Sequence, residues 1–189
     1  FTGKYVKGNS NTTTYVGLEL RGNLTDRVDI DSNQFENLCY PIYSDYDVTD
    51  VDIKDNKFKL LYQGVTLGAN VTNVSPKRIG PSNVRIESNK FDTIQREGIY
   101  AGTNTATVTA IKSSKNVFHD VGNNQLGDDH PYTPVITFNS LGNSSKNDNF
   151  ERFDFAQTAL GQTKKQLALI GGHAKVDVSY ARSFTMTQS

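Results

Sequence analysis

Three aspartates and two histidines lie close together in the sequence, and their side chains are of the types that carry out catalysis. His119 and Asp120 are followed by a run of Asp128, Asp129 and His130. Carboxylates and imidazoles serve as general acids and bases, and both can bind divalent cations. An Asp-Asp-His run is also a common composition for a solvated loop. The three aspartates are therefore candidate catalytic residues and the two histidines candidate metal ligands, whereas the sequence as a whole predicts no metal site and no cofactor.

A second candidate site is a tyrosine-rich segment that contains Tyr40, Tyr43 and Tyr46. A tyrosine ring offers an apolar face and a hydroxyl group, so it can stack on a sugar ring and also bond to it. The same rings could instead pack this segment onto the body of the protein. We consider the three tyrosines candidate ligand-binding residues.

Composition excludes several classes of protein. The 189 residues carry 20 basic and 20 acidic side chains, which gives no general attraction to nucleic acid or to an anionic membrane. No segment approaches the ~20 apolar residues that a membrane-spanning helix needs. The single cysteine, Cys39, excludes an internal disulfide framework and a cysteine-based zinc finger. We expect no nucleic-acid partner and no membrane association.

The elements that must position these candidates are predicted to be β-strands. The chain is rich in turn and strand residues, with 18 Asn, 19 Thr and 15 Gly, and strong helix formers are scarce. Only the segment 155–166 could hold a helical turn. Because the chain begins with Phe1 rather than Met, we expect it to be a fragment of a longer product.

An internal repeat specifies the arrangement of these strands. The pattern V-x-I-x-x-N-x-F-x-x-[LI] occurs without gaps at residues 28–38, 51–61 and 84–94. A looser copy contains Ile111, Asn116 and Phe118, and partial copies follow around Phe150 and Val176. A second short strand follows the copies, for example at 64–68 and 98–102. Short strands at a period in the low twenties are typical of a solenoid whose units bury their apolar faces on one another.

We therefore predict one all-β domain, 1–189, forming a parallel β-solenoid of about six coils between residues 15 and 184. Insertions are expected at 39–50, 68–82 and 122–134, on the surface where solenoids commonly bind.

Stacked repeats predict columns of equivalent residues about 4.8 Å apart. Asparagines should form a ladder, because Asn tolerates a left-handed turn and its amide can bond along the stack. Phenylalanines should stack in the core, and several outward columns should place opposite charges side by side. The expected columns are Asn33, Asn56, Asn89 and Asn116; Phe35, Phe58, Phe91, Phe118 and Phe150; Asp31, Lys54 and Glu87; Glu36, Lys59 and Asp92; and Asp29, Asp52 and Arg85.

On this N-x-F repeat, the sequence resembles the right-handed parallel β-helix proteins of the pectate-lyase-like superfamily and their phage tailspike relatives. The resemblance implies the right-handed sense of the coil and, by analogy with tailspikes, a homotrimer. The motif series of the polygalacturonases is missing, and Gly171-Gly172-His173 is the nearest approach to one part of it.

The expected function is that of a structural or adhesive module in a virion appendage, such as a phage tail fibre, a tailspike or a baseplate component, involved in host attachment. Its partners would be further copies of itself, neighbouring virion proteins or a cell-surface polysaccharide. Its location would be the virion or, alternatively, an extracellular or cell surface. The alternative function is a polysaccharide lyase or glycoside hydrolase that uses two carboxylates, such as Asp120 and Asp128, on one exposed face.

Overall fold

The computed structural model describes residues 1–4, 15–21, 27–44, 48–68, 82–103, 109–122, 136–140, 148–159, 168–172, 174–176 and 186–187. Within these ranges all regular elements are β-strands, as the composition predicts. They are β1 (Val16–Glu19), β2 (Val28–Asp31), β3 (Gln34–Glu36), β4 (Tyr40–Ser44), β5 (Thr49–Lys54), β6 (Lys57–Leu61), β7 (Val65–Leu67), β8 (Ser82–Glu87), β9 (Lys90–Ile94), β10 (Ile99–Thr103), β11 (Thr109–Val121), β12 (Ile136–Ser140), β13 (Asp148–Ala159), β14 (Ala168–Gly172), β15 (Ala174–Val176) and β16 (Met186–Thr187).

The strands form two sheets in which all the described pairings are parallel. One sheet has the order β1-β4-β7-β10-β12-β14. The other has the order β2-β5-β8-β11-β9-β6-β3, with β13 beside β11 and with β15 and β16 beside β13. The long strand β11 joins its two halves, since it pairs with β8 along its first part and with β9 along its second. Each strand thus lies beside its equivalent in the next repeat, an arrangement compatible with a β-solenoid.

The sequence repeats are in register across the larger sheet. Val51 lies between Val28 and Val84, and Ile111 continues this column. Val51 and Val84 are fully buried, and Val28 packs against the same core. Alternate residues of a strand point to opposite faces, so the first and third positions of each V-x-I triplet supply the core. The predicted inward stacking of these valines is confirmed.

A stack of phenylalanine rings fills the interior between the repeats. Neighbouring ring centroids from Phe35 through Phe58 and Phe91 to Phe118 are 5.2, 4.7 and 4.9 Å apart, and the rings are close to parallel. All four side chains are almost completely buried. Phe1 extends the stack, with its ring 4.8 Å from that of Phe35, although it is itself about half exposed. Phe1 lies outside the repeat copies, so the repeat pattern did not predict this fifth ring.

The asparagine ladder is present, and the same backbone-to-side-chain bond joins its successive rungs. The side-chain oxygens of Asn56, Asn89 and Asn116 each accept the backbone N–H of the preceding rung at 2.9 Å. Their side-chain amides donate to the carbonyls of Ile30, Ile53 and Ile86 respectively. These three asparagines are fully buried, so the ladder satisfies polar groups that water does not reach.

The reason proposed for asparagine at this turn was partly wrong. The left-handed backbone belongs to the residue before each rung, at Ser32, Asp55, Ser88 and Lys115, with φ between 52° and 58°. Asparagine is needed for its amide and not for its backbone tolerance. A second left-handed position follows each phenylalanine by two residues, at Asn37, Leu60, Thr93 and Asp120.

Other sequence expectations also need correction. Tyr40–Ser44 form strand β4 rather than part of an insertion, because they pair with β1 and β7. Phe150 lies opposite Ile111 and not opposite Phe118, so it belongs to the valine column. The start of the segment considered for a helical turn, up to Ala159, is strand. The expected insertions 68–82 and 122–134 lie almost entirely outside the described residues.

Candidate functional site

Six polar residues form a grid on the outer face of β2, β5 and β8. They point outward because they alternate with the buried valines and isoleucines of the same strands. One column is Asp29, Asp52 and Arg85, which are neighbours in the sheet register. The second column lies two residues earlier in each repeat and consists of Arg27, Asp50 and Asn83.

Asp52 is the buried centre of this grid. Its side chain is only 4% exposed, yet it contacts three cations. Arg85 donates from Nε and Nη2 to the two carboxylate oxygens, each at 2.8 Å, and Lys54 Nζ lies 2.7 Å from Oδ2. The guanidinium of Arg27 also contacts Oδ2. A buried carboxylate needs this compensation, and here it ties together three successive repeats.

A pocket of about 130 Å³ opens beside this carboxylate, lined by Arg27, Asp50, Asp52, Asn83 and Arg85. Asn83 donates from its side-chain amide to the carboxylate of Asp50. Both of these residues have left-handed backbones, with φ of 50° and 55°. In the sequence, Asp29, Asp52 and Arg85 form a column of charges, and that column alone does not predict the pocket. The signal that could have found it is the pair of turn-forming residues placed two positions before Asp52 and Arg85.

The candidate tyrosines belong to an aromatic cluster. The rings of Tyr40 and Tyr43 lie 5.1 Å apart, and Tyr62 of the next repeat meets Tyr40 edge-on at 6.0 Å. Arg96 donates to the Tyr62 hydroxyl at 3.3 Å and lies over its ring at 5.8 Å. The structure therefore brings Tyr40 and Tyr43 together and packs Tyr40 against a neighbouring repeat, while Tyr46 lies outside the described residues.

Of the candidate acid–base residues, His119 and Asp120 lie within the described part of the chain. His119 is exposed, and its Nδ1 lies 2.8 Å from the Asp92 carboxylate of the neighbouring repeat. This contact adds a fourth member to the column of Glu36, Lys59 and Asp92. Asp120 is partly buried and has a left-handed backbone, with φ of 49°.

Asp128, Asp129 and His130 lie outside the described residues, so whether they approach His119 and Asp120 is not tested. In the part of the chain that the structure describes, no three His, Cys, Asp or Glu side chains are grouped so that they could hold a metal ion.

Two titratable groups of the smaller sheet have shifted pKa values, the buried Cys39 beside β4 and the partly buried Tyr100 of β10. Burial raises the pKa of the Cys39 thiol, and a backbone hydrogen bond from Tyr15 partly opposes this change. Burial also raises the pKa of Tyr100, and the negative charge of Glu97 raises it further. Glu97 is itself buried and accepts a 2.8 Å hydrogen bond from Gln63. A thiol of raised pKa is a poor nucleophile, so Cys39 is a packing residue here.

Comparison of the chain with protein-family models, with curated proteins and with solved structures found no match. Among the described residues, there is also no helix of the length and apolar character that crossing a membrane requires.

Proposed function

We propose that this chain is a structural and adhesive module, a right-handed parallel β-helix of about six coils, in a virion appendage involved in attachment to a host surface. A phage tail fibre, a tailspike or a baseplate component would contain such a module. Its location would then be the virion, and an extracellular or cell-surface adhesin is the alternative. The observation that carries the proposal is the unbroken stacking of Asn33, Asn56, Asn89 and Asn116 through successive repeats.

The buried side chains support a structural role for the module. Phe35, Phe58, Phe91 and Phe118 form one stack, and the asparagine rungs run beside it, so the interior consists of contacts between repeats. Hydrogen bonds and apolar contacts that recur along one axis suit an elongated shaft, because each repeat is held by its neighbours.

The outer charges support the same role. Asp52 has both oxygens occupied by cations, and Asp92 accepts from His119 and from the Thr93 hydroxyl. Carboxylates engaged in this way connect neighbouring repeats and are not poised to transfer a proton to a substrate. The partners that fit this function are two further copies of the chain in a homotrimer, neighbouring virion proteins, or a cell-surface polysaccharide.

The test measures the assembly state and the chemistry of the purified 189-residue chain. Sedimentation analysis should give an elongated trimer, and incubation with a panel of bacterial surface polysaccharides should show binding without cleavage. A monodisperse monomer that binds none of the panel would contradict the proposal. New reducing ends or unsaturated uronates, lost in Asp120→Asn, would instead support the polysaccharide-degrading enzyme.

A further inference from the structure

The pocket beside Asp52 offers hydrogen-bonding groups that no described residue uses. Asn83 donates to one oxygen of Asp50, which leaves the second Asp50 oxygen and the amide oxygen of Asn83 as acceptors. Arg85 uses Nε and Nη2 on Asp52, and Arg27 uses Nε and Nη2 on Asp29 and Asp52. Each guanidinium therefore keeps one terminal NH₂ group. Two donor groups and two acceptor groups border the same small space.

The charges around the pocket favour a neutral ligand. Its lining consists of two guanidiniums, two carboxylates and one uncharged amide, so the charges cancel. A metal ion would lie beside the guanidiniums, and an anion would lie beside the carboxylates, and each arrangement is repulsive at these short distances. A hydroxyl group, by contrast, both donates and accepts, so it can bond to either kind of partner.

The lining is also held rigidly before any ligand arrives. Asp52 fixes the guanidinium of Arg85 through two hydrogen bonds of 2.8 Å, and its own side chain is buried. Asp50 and Asn83 have left-handed backbones, which Asp and Asn adopt at low cost, and the Asn83 amide donates to the Asp50 carboxylate, so each side chain holds the other in place. Groups fixed in advance lose little conformational entropy on binding.

We propose that this pocket binds one unit of a neutral sugar. Adjacent hydroxyl groups of the sugar would donate to Asp50 and Asn83 and accept from Arg27 and Arg85. The volume of about 130 Å³ suits a single small ring at the pocket rather than a long segment of glycan. This inference rests on the proposed attachment function, because it names the ligand class and one place on the surface where attachment occurs.

The test titrates the full chain with methyl glycosides of glucose, galactose, mannose and rhamnose, and follows the backbone amides by NMR. At least one of them should shift the amides of residues 50–54 and 83–85. The double variant Asp50→Gly, Asn83→Gly removes both free acceptors and allows the left-handed backbone. It should weaken binding by about tenfold or more, the scale of one or two lost hydrogen bonds.

The matched control is Asn37→Gly, which changes another left-handed position, with φ of 56°, away from the pocket. It should leave glycoside binding unchanged. The inference is overturned if no neutral glycoside shifts these amides, if galacturonate, sulfate or Ca²⁺ binds there more tightly, or if the control weakens binding as much as the double variant. If the double variant attaches normally to a surface that the wild type binds, the pocket is not the attachment site, and the proposed function of the module still stands. Failure of the wild type to attach to any surface would instead count against the function.

Discussion

Asn56 donates two hydrogen bonds to a single oxygen of Asn89, one from its backbone N–H at 2.9 Å and one from its side-chain amide at 3.1 Å. Replacing Asn89 by Ala would remove this acceptor and leave the carbonyl of Ile53 without its donor. Each buried group left unsatisfied costs about 1–3 kcal/mol, so we expect Asn89→Ala to lower the free energy of unfolding by about 3 kcal/mol or more. Urea unfolding measures this change.

The control for this variant is Asn33→Ala, at the partly buried first rung, whose side chain donates, within the described part of the chain, to the nearby Asp31 carbonyl. It should cost about 1 kcal/mol or less, since water can replace that bond. Equal costs for the two variants would mean that the ladder does not stabilise the stack.

The phenylalanine stack allows a comparison between its middle and its end. Phe58 contacts rings on both sides and is fully buried, so Phe58→Ala should cost about 3–5 kcal/mol. Phe1 has one described ring neighbour and is 53% exposed, and we expect Phe1→Ala to cost far less. Thermal or chemical unfolding of both variants gives the comparison, and a loss below about 1 kcal/mol for Phe58→Ala would argue against a filled core.

Leu60 occupies a left-handed position at which the first repeat has Asn37. A left-handed backbone costs most residues roughly 1–2 kcal/mol and costs asparagine less. Leu60 is 36% exposed, so little apolar contact would be lost on replacement. We expect Leu60→Asn to raise the free energy of unfolding by about 0.5–1 kcal/mol. The same change at the adjacent exposed Lys59, whose φ is not left-handed, should give no gain, and an equal gain there would contradict the strain argument.

The cations around Asp52 give a prediction about charge. Asp52→Asn would leave Arg27, Lys54 and Arg85 close together without the carboxylate that they share. Removing one member of a buried ion cluster typically costs about 3–5 kcal/mol. Asp29→Asn, at a carboxylate that is 62% exposed, should cost about 1 kcal/mol or less. Both variants remove one negative charge, so a comparison of their denaturation midpoints tests whether the burial of the carboxylate decides how much stability is lost.

The raised pKa values of Cys39 and Tyr100 predict a loss of stability in alkaline solution. Each group keeps its proton in the folded state at a pH where the unfolded chain has released it, so folding binds protons there. The contribution of these two groups to stability should be constant below the ordinary thiol pKa of 9.0 and should fall as the pH rises through the folded values. Cys39→Ala should remove the earlier part of this fall, and a pH dependence identical to that of the wild type would show that the thiol does not contribute.

Much of the fold followed from the sequence because its core positions repeat without gaps. Val51, Asn56 and Phe58 recur at fixed spacing, and the parallel register aligns them with their counterparts as predicted. The prediction failed where the repeat becomes irregular. Phe150 resembles a member of the phenylalanine column, but the strand pairing places it opposite Ile111, and register shifts interrupt this pair of strands.

The candidate site was harder to predict, because it depends on contacts between repeats rather than within one. Asp29 and Asp52 are like charges at paired positions of adjacent strands, and such a pair is destabilising unless other residues compensate for it. The structure resolves this with Arg27, which bonds to Asp29 in its own repeat and also reaches across to the Asp52 carboxylate of the next repeat. Such diagonal partners depend on side-chain reach and not on the repeat pattern.

The asparagine rungs also have a consequence for chain length. The contact between Asn33 and Asn56 shares with that between Asn56 and Asn89 a 2.9 Å bond from the backbone N–H of one rung to the side-chain oxygen of the next. An asparagine rung of one repeat can therefore bond to the rung of any other repeat that carries asparagine at this position. Loss or duplication of a whole unit, such as residues 51–83, would again place equivalent asparagines on neighbouring strands, where the same bond can form. The number of repeats can thus change while the bonds that join them stay the same. A protein built in this way can change its length in steps of one strand spacing, about 4.8 Å.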